Sequence, residues 1–142
     1  MSCISPQETI NASFFESQIK TFNGDKIVSV EPNYKGVIPS KLLRRMSCLV
    51  RMTVGISLPL LNKYDDLNGI IFSSYNSGMD RSMRFLEQIV DYNEGTLTPT
   101  DFVQSTANCV AGTLGLMGKI TGYNNTHVNQ GLTFESALLD AL

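Results

Sequence analysis

The sequence predicts an α/β fold in which helices pack on a mostly parallel sheet, and three observations carry that expectation. Helix-like and strand-like segments alternate along the chain as helix, strand, helix, helix, strand, helix. The run "GIIFSS" at residues 69–74 is short and apolar, the pattern of a strand covered on both faces. The segment "THVNQGLTFESALLDAL", residues 126–142, reads as a strand entering a tight turn and then a helix. Enzymes use that geometry to raise a nucleophile at the mouth of a helix.

A chain of 142 residues fits one domain, residues 1–142, and can bury a sizeable core. Hydrophobic residues make up 42% and charged residues 17%, which excludes a disordered tail. The net charge of -2 provides no bulk field for nucleic acid or an acidic membrane. Cys3, Cys48 and Cys109 are odd in number and far apart, so neither a disulfide framework nor a metal site is expected, and a reducing cytoplasm fits best. The start, "MSCISPQETINASFF", lacks the basic-then-apolar pattern of a signal peptide, and no apolar run reaches membrane-spanning length.

The elements follow from local patterns. A short helix is expected over Asn11–Lys20, with Phe14, Phe15 and Ile19 as its apolar side. Asn23-Gly24-Asp25 is a turn, Ile27–Val30 a short strand, and Pro32, Gly36 and Pro39 mark a loop. Ser40 then caps one long helix through Ser57, with Leu42, Leu43, Met46, Leu49, Val50 and Val54 at helical spacing. Pro59 ends or kinks it. Gly78–Tyr92 reads as a helix with Met79, Met83, Leu86, Ile89 and Val90 turned inward. Pro99 starts the next helix, and residues 105–122 form a small-residue helix whose Ala107, Ala111, Gly112 and Gly115 allow close packing. Asn125–Asn129 is the last strand, and Thr133 caps the last helix.

The turn before that helix, Asn129-Gln130-Gly131-Leu132, holds no nucleophile. Gln130 exchanges hydrogen bonds but cannot attack a thioester, and Gly131 has no side chain. His127, the single histidine, could serve acid–base chemistry, but a structural role is favoured because no carboxylate stands at catalytic spacing. Cys109 lacks a basic neighbourhood and reads as a buried helix cysteine, leaving a Cys109/His127 dyad as the remaining catalytic option. Lys41, Arg44, Arg45 and Arg51 could contact phosphate or another anion. No aromatic on that helix can stack on a base, so a solvated face or a protein interface is the stronger reading. "FSSYNSG" matches neither phosphate-loop pattern.

In order, "LLRRMSCLVRM" (42–52), "LNGIIFSSYNSGMDRSMRFLEQI" (67–89) and "LTPTDFVQSTANCVAGTLGLMGKITGYNNTHVNQGLTFESALLDAL" (97–142) resemble the N-terminal half of the β-ketoacyl synthases, which have the thiolase fold. "EPNYKGVIPSKLLRRMS" and "HVNQGLTFESALLDAL" are similar to the divergent ketosynthase-like proteins of bacterial aryl polyene and flexirubin-type pigment clusters. The resemblance implies a single, incomplete thiolase-like N-terminal domain acting in fatty acid or polyketide biosynthesis. It implies a homo- or heterodimer with a ketosynthase-like chain, an acyl carrier protein as a further partner, and no cofactor, metal or nucleic acid. Counted from Gly122, the family's acylated cysteine falls at Gly131, with Gln130 just before it, and the two assisting histidines would lie beyond residue 142. Chain-length factors also lack the cysteine, so a non-catalytic partner of an active ketosynthase is expected. The alternatives are a 3-oxoacyl-carrier-protein synthase-type acyltransferase with another nucleophile, and an anion-binding module on the Lys41–Arg51 helix.

Overall fold

The computed structural model describes residues 4–5, 21–93 and 95–142, so the helix expected over Asn11–Lys20 lies outside the described residues. Residues 21–39 wrap the domain as an irregular strap, and the strand expected at Ile27–Val30 does not form. Among the described residues no strand pairs with it, and the Val30 N–H donates to the Ser5 carbonyl at 2.9 Å. Side chains hold the strap instead. The Glu31 carboxylate accepts from Arg51 Nε and Nη2, both at 2.6 Å, from the Tyr34 hydroxyl at 2.9 Å, and from the Cys48 thiol at 3.3 Å. The buried Tyr34 ring lies over Gly55, where an added Cβ would stand 2.5 Å from Tyr34 Cε1.

The Arg51 guanidinium lowers the Glu31 carboxyl to about 2, below its ordinary 4.5. A carboxyl depressed by folding stabilises the chain above its unfolded value and loses that contribution as pH falls through the folded one. Arg51→Met should therefore weaken the chain at neutral pH, and its deficit relative to the parent should shrink as pH drops from 4.5 toward 2. Urea titrations of both chains across that range check this.

The expected long helix is two helices, α1 at Ser40–Leu43 and α2 at Cys48–Leu61. Ser40 is the first residue of α1 and makes no side-chain cap bond. Ser47 caps α2, its Oγ accepting from Val50 N–H at 3.4 Å. The break is held open by one distant side chain. Gln104 Oε1 accepts from Ser47 N–H at 2.7 Å, and Gln104 Nε2 donates to the Arg45 carbonyl. Met46 and Ser47 are buried there, so the Ser47 N–H has no water to turn to. Pro59 does not end α2, which runs on to Leu61; the missing N–H leaves only the Gly55 carbonyl without its helical donor.

The remaining elements are β1 (Gly69–Ser73), α3 (Met79–Asp91), α4 (Pro99–Ser105), α5 (Cys109–Gly118), β2 (Tyr123–His127) and α6 (Thr133–Ala141). Among the described residues the sheet has two strands, β1 and β2, parallel and paired from Gly69 with Tyr123 to Ser73 with His127. That register starts β2 two residues before the expected Asn125, because Tyr123 N–H already donates to Asn68 O at 3.0 Å. The expected small-residue helix begins only at Cys109, and Ala107 is exposed outside it. It ends at Gly118, where Lys119 takes a left-handed φ of 55°. Ala111 and Gly115 are buried as expected.

Alternation along β2 assigns the two faces of the sheet. Asn124 Nδ2 donates to the Ala111 carbonyl at 3.0 Å and the Thr126 hydroxyl to Asn108 Oδ1 at 2.6 Å, so the even residues face α5. Tyr123, Asn125 and His127 all reach Asp140 on α6. Helices α5 and α6 therefore cover opposite faces. The core lies on the α5 side, where Val50, Val54 and Leu58 of α2 meet Val110 and Leu114 of α5, with Ile70 and Phe72 of β1 against them.

Helix α3 departs from the sequence expectation at four of its five residues, Ile89 alone being part-buried. Met79, Met83, Leu86 and Val90 point outward, each more than half exposed. Its other side is mixed: Phe85 packs on Phe102 of α4, with ring centroids 5.4 Å apart, and polar residues meet the buried Asp101 that α4 presents. Arg81 Nη1 donates to Asp101 Oδ1 at 2.9 Å, Gln88 Nε2 to Asp101 Oδ2 at 2.8 Å, and the Ser82 hydroxyl to the Ser105 carbonyl at 3.1 Å. A buried carboxylate needs such donors, and satisfying it outweighs burying the apolar stripe. Among the described residues, no helix is long and apolar enough to cross a membrane.

Candidate functional site

The end of β1 and the mouth of α6 enclose a shallow cleft of about 280 Å³, lined by Ser73, Ser74, Tyr75, Gln130, Gly131, Thr133, Phe134 and Glu135. The chain enters it through a single 3-10 turn, Gln130–Leu132. Gln130 has a left-handed φ of 50°, the strained conformation of an elbow tip. Gly131 beside it has open space, with nothing within 4 Å of an added Cβ. Thr133 is the first residue of α6 rather than its cap, yet its hydroxyl staples the turn. It accepts from Asn129 N–H at 2.9 Å and donates to the Gln130 carbonyl at 2.8 Å.

The backbone separates the two elbow residues energetically. A left-handed conformation costs an L-residue about 1 kcal/mol and costs glycine little. Gln130→Gly should therefore raise stability by roughly 0.5–1 kcal/mol, while Gly131→Ala should change it by less than about 0.5 kcal/mol. Urea midpoints of the two variants check the assignment.

No hydroxyl in the cleft is set against a base. Ser74 Oγ accepts from Ser77 N–H at 2.9 Å, and Thr133 is occupied by the turn. His127 faces α6 instead, with Nε2 at 2.9 Å from Asp140 Oδ2. Cys109 packs against the core on the other side of the sheet, and burial pushes its thiol up. A Cys109/His127 dyad is thus not formed. The basic group is divided as well: Lys41, Arg44 and Arg45 are exposed, but both Arg51 donors that reach Glu31 are committed to the strap. Among the described residues no cluster of three or more His, Cys, Asp or Glu side chains could hold a metal ion.

Reading the sequence missed Asp140 and Asn125 as the partners of His127, and Tyr123 as a further partner of Asp140. The signal was present: Tyr123, Asn125 and His127 alternate at strand period, which puts them on one face.

The β-ketoacyl synthase N-terminal domain family matches residues 23–142. The chain belongs to that family. This ketosynthase-like domain also resembles a chain in the structure of the ketosynthase ApeO in complex with its chain length factor ApeC from Xenorhabdus doucetiae, with a TM-score of 0.78 and 18% identity. The likeness covers 99% of the domain and 57% of that chain, and it shows a thiolase-like ketosynthase fold. A comparison with curated proteins gave no match.

Proposed function

We propose that this ketosynthase-like domain serves bacterial fatty acid or polyketide biosynthesis of the aryl polyene type as a non-catalytic partner of an active ketosynthase. The observation that carries the reading is the elbow. Its backbone is built for a nucleophile at the mouth of α6, while Gln130 and Gly131 supply no side chain able to hold an acyl group. Whichever of the two stands at the family's cysteine position, thioester exchange there is chemically closed. Gln130 at the strained tip suits the chain-length-factor type, in which the residue lines the pocket of a partner's growing chain. The neighbouring structure pairs a ketosynthase with its chain length factor, which supports an assembly of the same kind. An acyl carrier protein docking near Lys41, Arg44 and Arg45 is part of this proposal.

Incubating the purified chain with acyl-carrier-protein thioesters and mapping adducts by peptide mass tests it. The expected result is no acyl adduct on residues 126–142 and co-purification with a ketosynthase encoded alongside it. An acyl group found in that segment would overturn the non-catalytic reading.

A further inference from the structure

Helix α6 leads directly from the elbow, so its direction decides where Phe134 and Glu135 stand in the cleft. Apolar packing does little to set that direction. Within α6 the buried residues are Thr133 and Ala137, while Phe134, Leu138 and Leu139 are each at least half exposed. Polar attachments remain at two places. The first is the N-terminal end, where the Thr133 staple holds the turn itself and Asn129 Nδ2 donates to Ser136 Oγ at 3.2 Å.

The second is at the far end. Asp140 Oδ2 is 2.9 Å from His127 Nε2 and accepts from Asn125 Nδ2 at 2.9 Å. The Tyr123 hydroxyl lies 2.9 Å from Oδ1 and 3.0 Å from Oδ2. Asn125 Nδ2 also lies 3.1 Å from the Tyr123 oxygen, so strand donors form one connected network around the carboxylate. These donors occupy alternate positions of β2, spread over roughly 13 Å of strand. One carboxylate meets all of them at a single translation and rotation of the helix. The Asp140 carboxyl is held below its usual range by the His127 hydrogen bond first, then by Asn125 and Tyr123.

We propose that Asp140 is the positioning residue of the elbow: by clasping Tyr123, Asn125 and His127 it fixes α6 on the sheet, and through α6 the cleft around Gln130 and Gly131. The proposal rests on reading the elbow as the ketosynthase-type site. It also gives His127 a defined role. The Asp140 carboxylate at Nε2 favours a proton on that nitrogen, which Asn125 Nδ2 also approaches at 3.3 Å.

The test uses the full chain with a reporter thiol at the elbow, Gly131→Cys, placed where the backbone leaves open space. Its alkylation by iodoacetamide is followed by peptide mass, separately from Cys3, Cys48 and Cys109. Asp140→Ala should change the reporter's rate at least about five-fold, the population shift of roughly 1 kcal/mol. Asp140→Asn, which keeps one acceptor oxygen, should recover part of it. Leu139→Ala, on the same helical turn but 74% exposed, should leave it in place. Imidazole nitrogen spectra at alkaline pH should show the Nε2–H tautomer in the parent and a mixture in Asp140→Ala. An unchanged reporter rate in folded Asp140→Ala, or an equal change in Leu139→Ala, would overturn the proposal. If Asp140→Ala fails to fold, Asp140→Asn and Tyr123→Phe carry the same comparison. The non-catalytic reading stands or falls separately, on the acylation experiment.

Discussion

Replacing Gly122 with alanine should destabilise the domain by about 3 kcal/mol or more, among the largest effects of any single methyl group in the chain. The added Cβ would fall onto the Asn68 carbonyl oxygen, a backbone atom with no rotamer to escape into. That carbonyl is also the first rung of the sheet, accepting from Tyr123 N–H at 3.0 Å. Either the rung breaks or β2 moves away from β1. A urea titration followed by circular dichroism should show a lower midpoint. Gly112→Ala should be mild by comparison, since its Cβ would meet only Asn108 Nδ2, at 4.0 Å.

Gln104→Ala should lower stability by about 1–3 kcal/mol, because the buried Ser47 N–H loses its acceptor and the part-buried Arg45 carbonyl loses its donor. Ser47 is 2% exposed, so its N–H cannot recover a bond from solvent without opening the α1–α2 break. Gln104→Glu distinguishes lost hydrogen bonds from lost packing. It keeps the shape and the acceptor for Ser47 N–H, but turns a carboxylate oxygen toward the Arg45 carbonyl. Glutamate should therefore destabilise at least as much as alanine near neutral pH. If packing alone mattered, glutamate would be nearly neutral.

Elements fixed by local pattern were legible in the sequence. The apolar run at 69–73 and Pro99 at a helix start each carry their own conformational signal, and each element stands within a few residues of its expected place, whereas the left-handed residue of the last turn is Gln130 and not Gly131. Elements decided by distant partners were not. The break at Arg44–Ser47 depends on Gln104, far along the chain, and the apolar stripe of a continuous helix hid it. Met79, Met83, Leu86 and Val90 of α3 face outward because Asp101 of α4 required Arg81 and Gln88 on the inner side, and no rule of amphipathic periodicity includes that demand. At the turn, the letters showed that neither Gln130 nor Gly131 carries a thiol, hydroxyl or carboxylate. The clasp at Asp140 needed the register of β2 and the placement of α6 together, and neither is encoded locally.

The two-faced strand β2 also constrains how the gene can change. Deleting or inserting a single codon just before Tyr123 would turn every side chain of the strand over. Donors now meeting Asp140 would then confront α5, and Asn124 and Thr126 would confront α6. Length variation in the domain should therefore gather in the strap and in the segment between α3 and α4, while the short link from α5 to β2 keeps a fixed count.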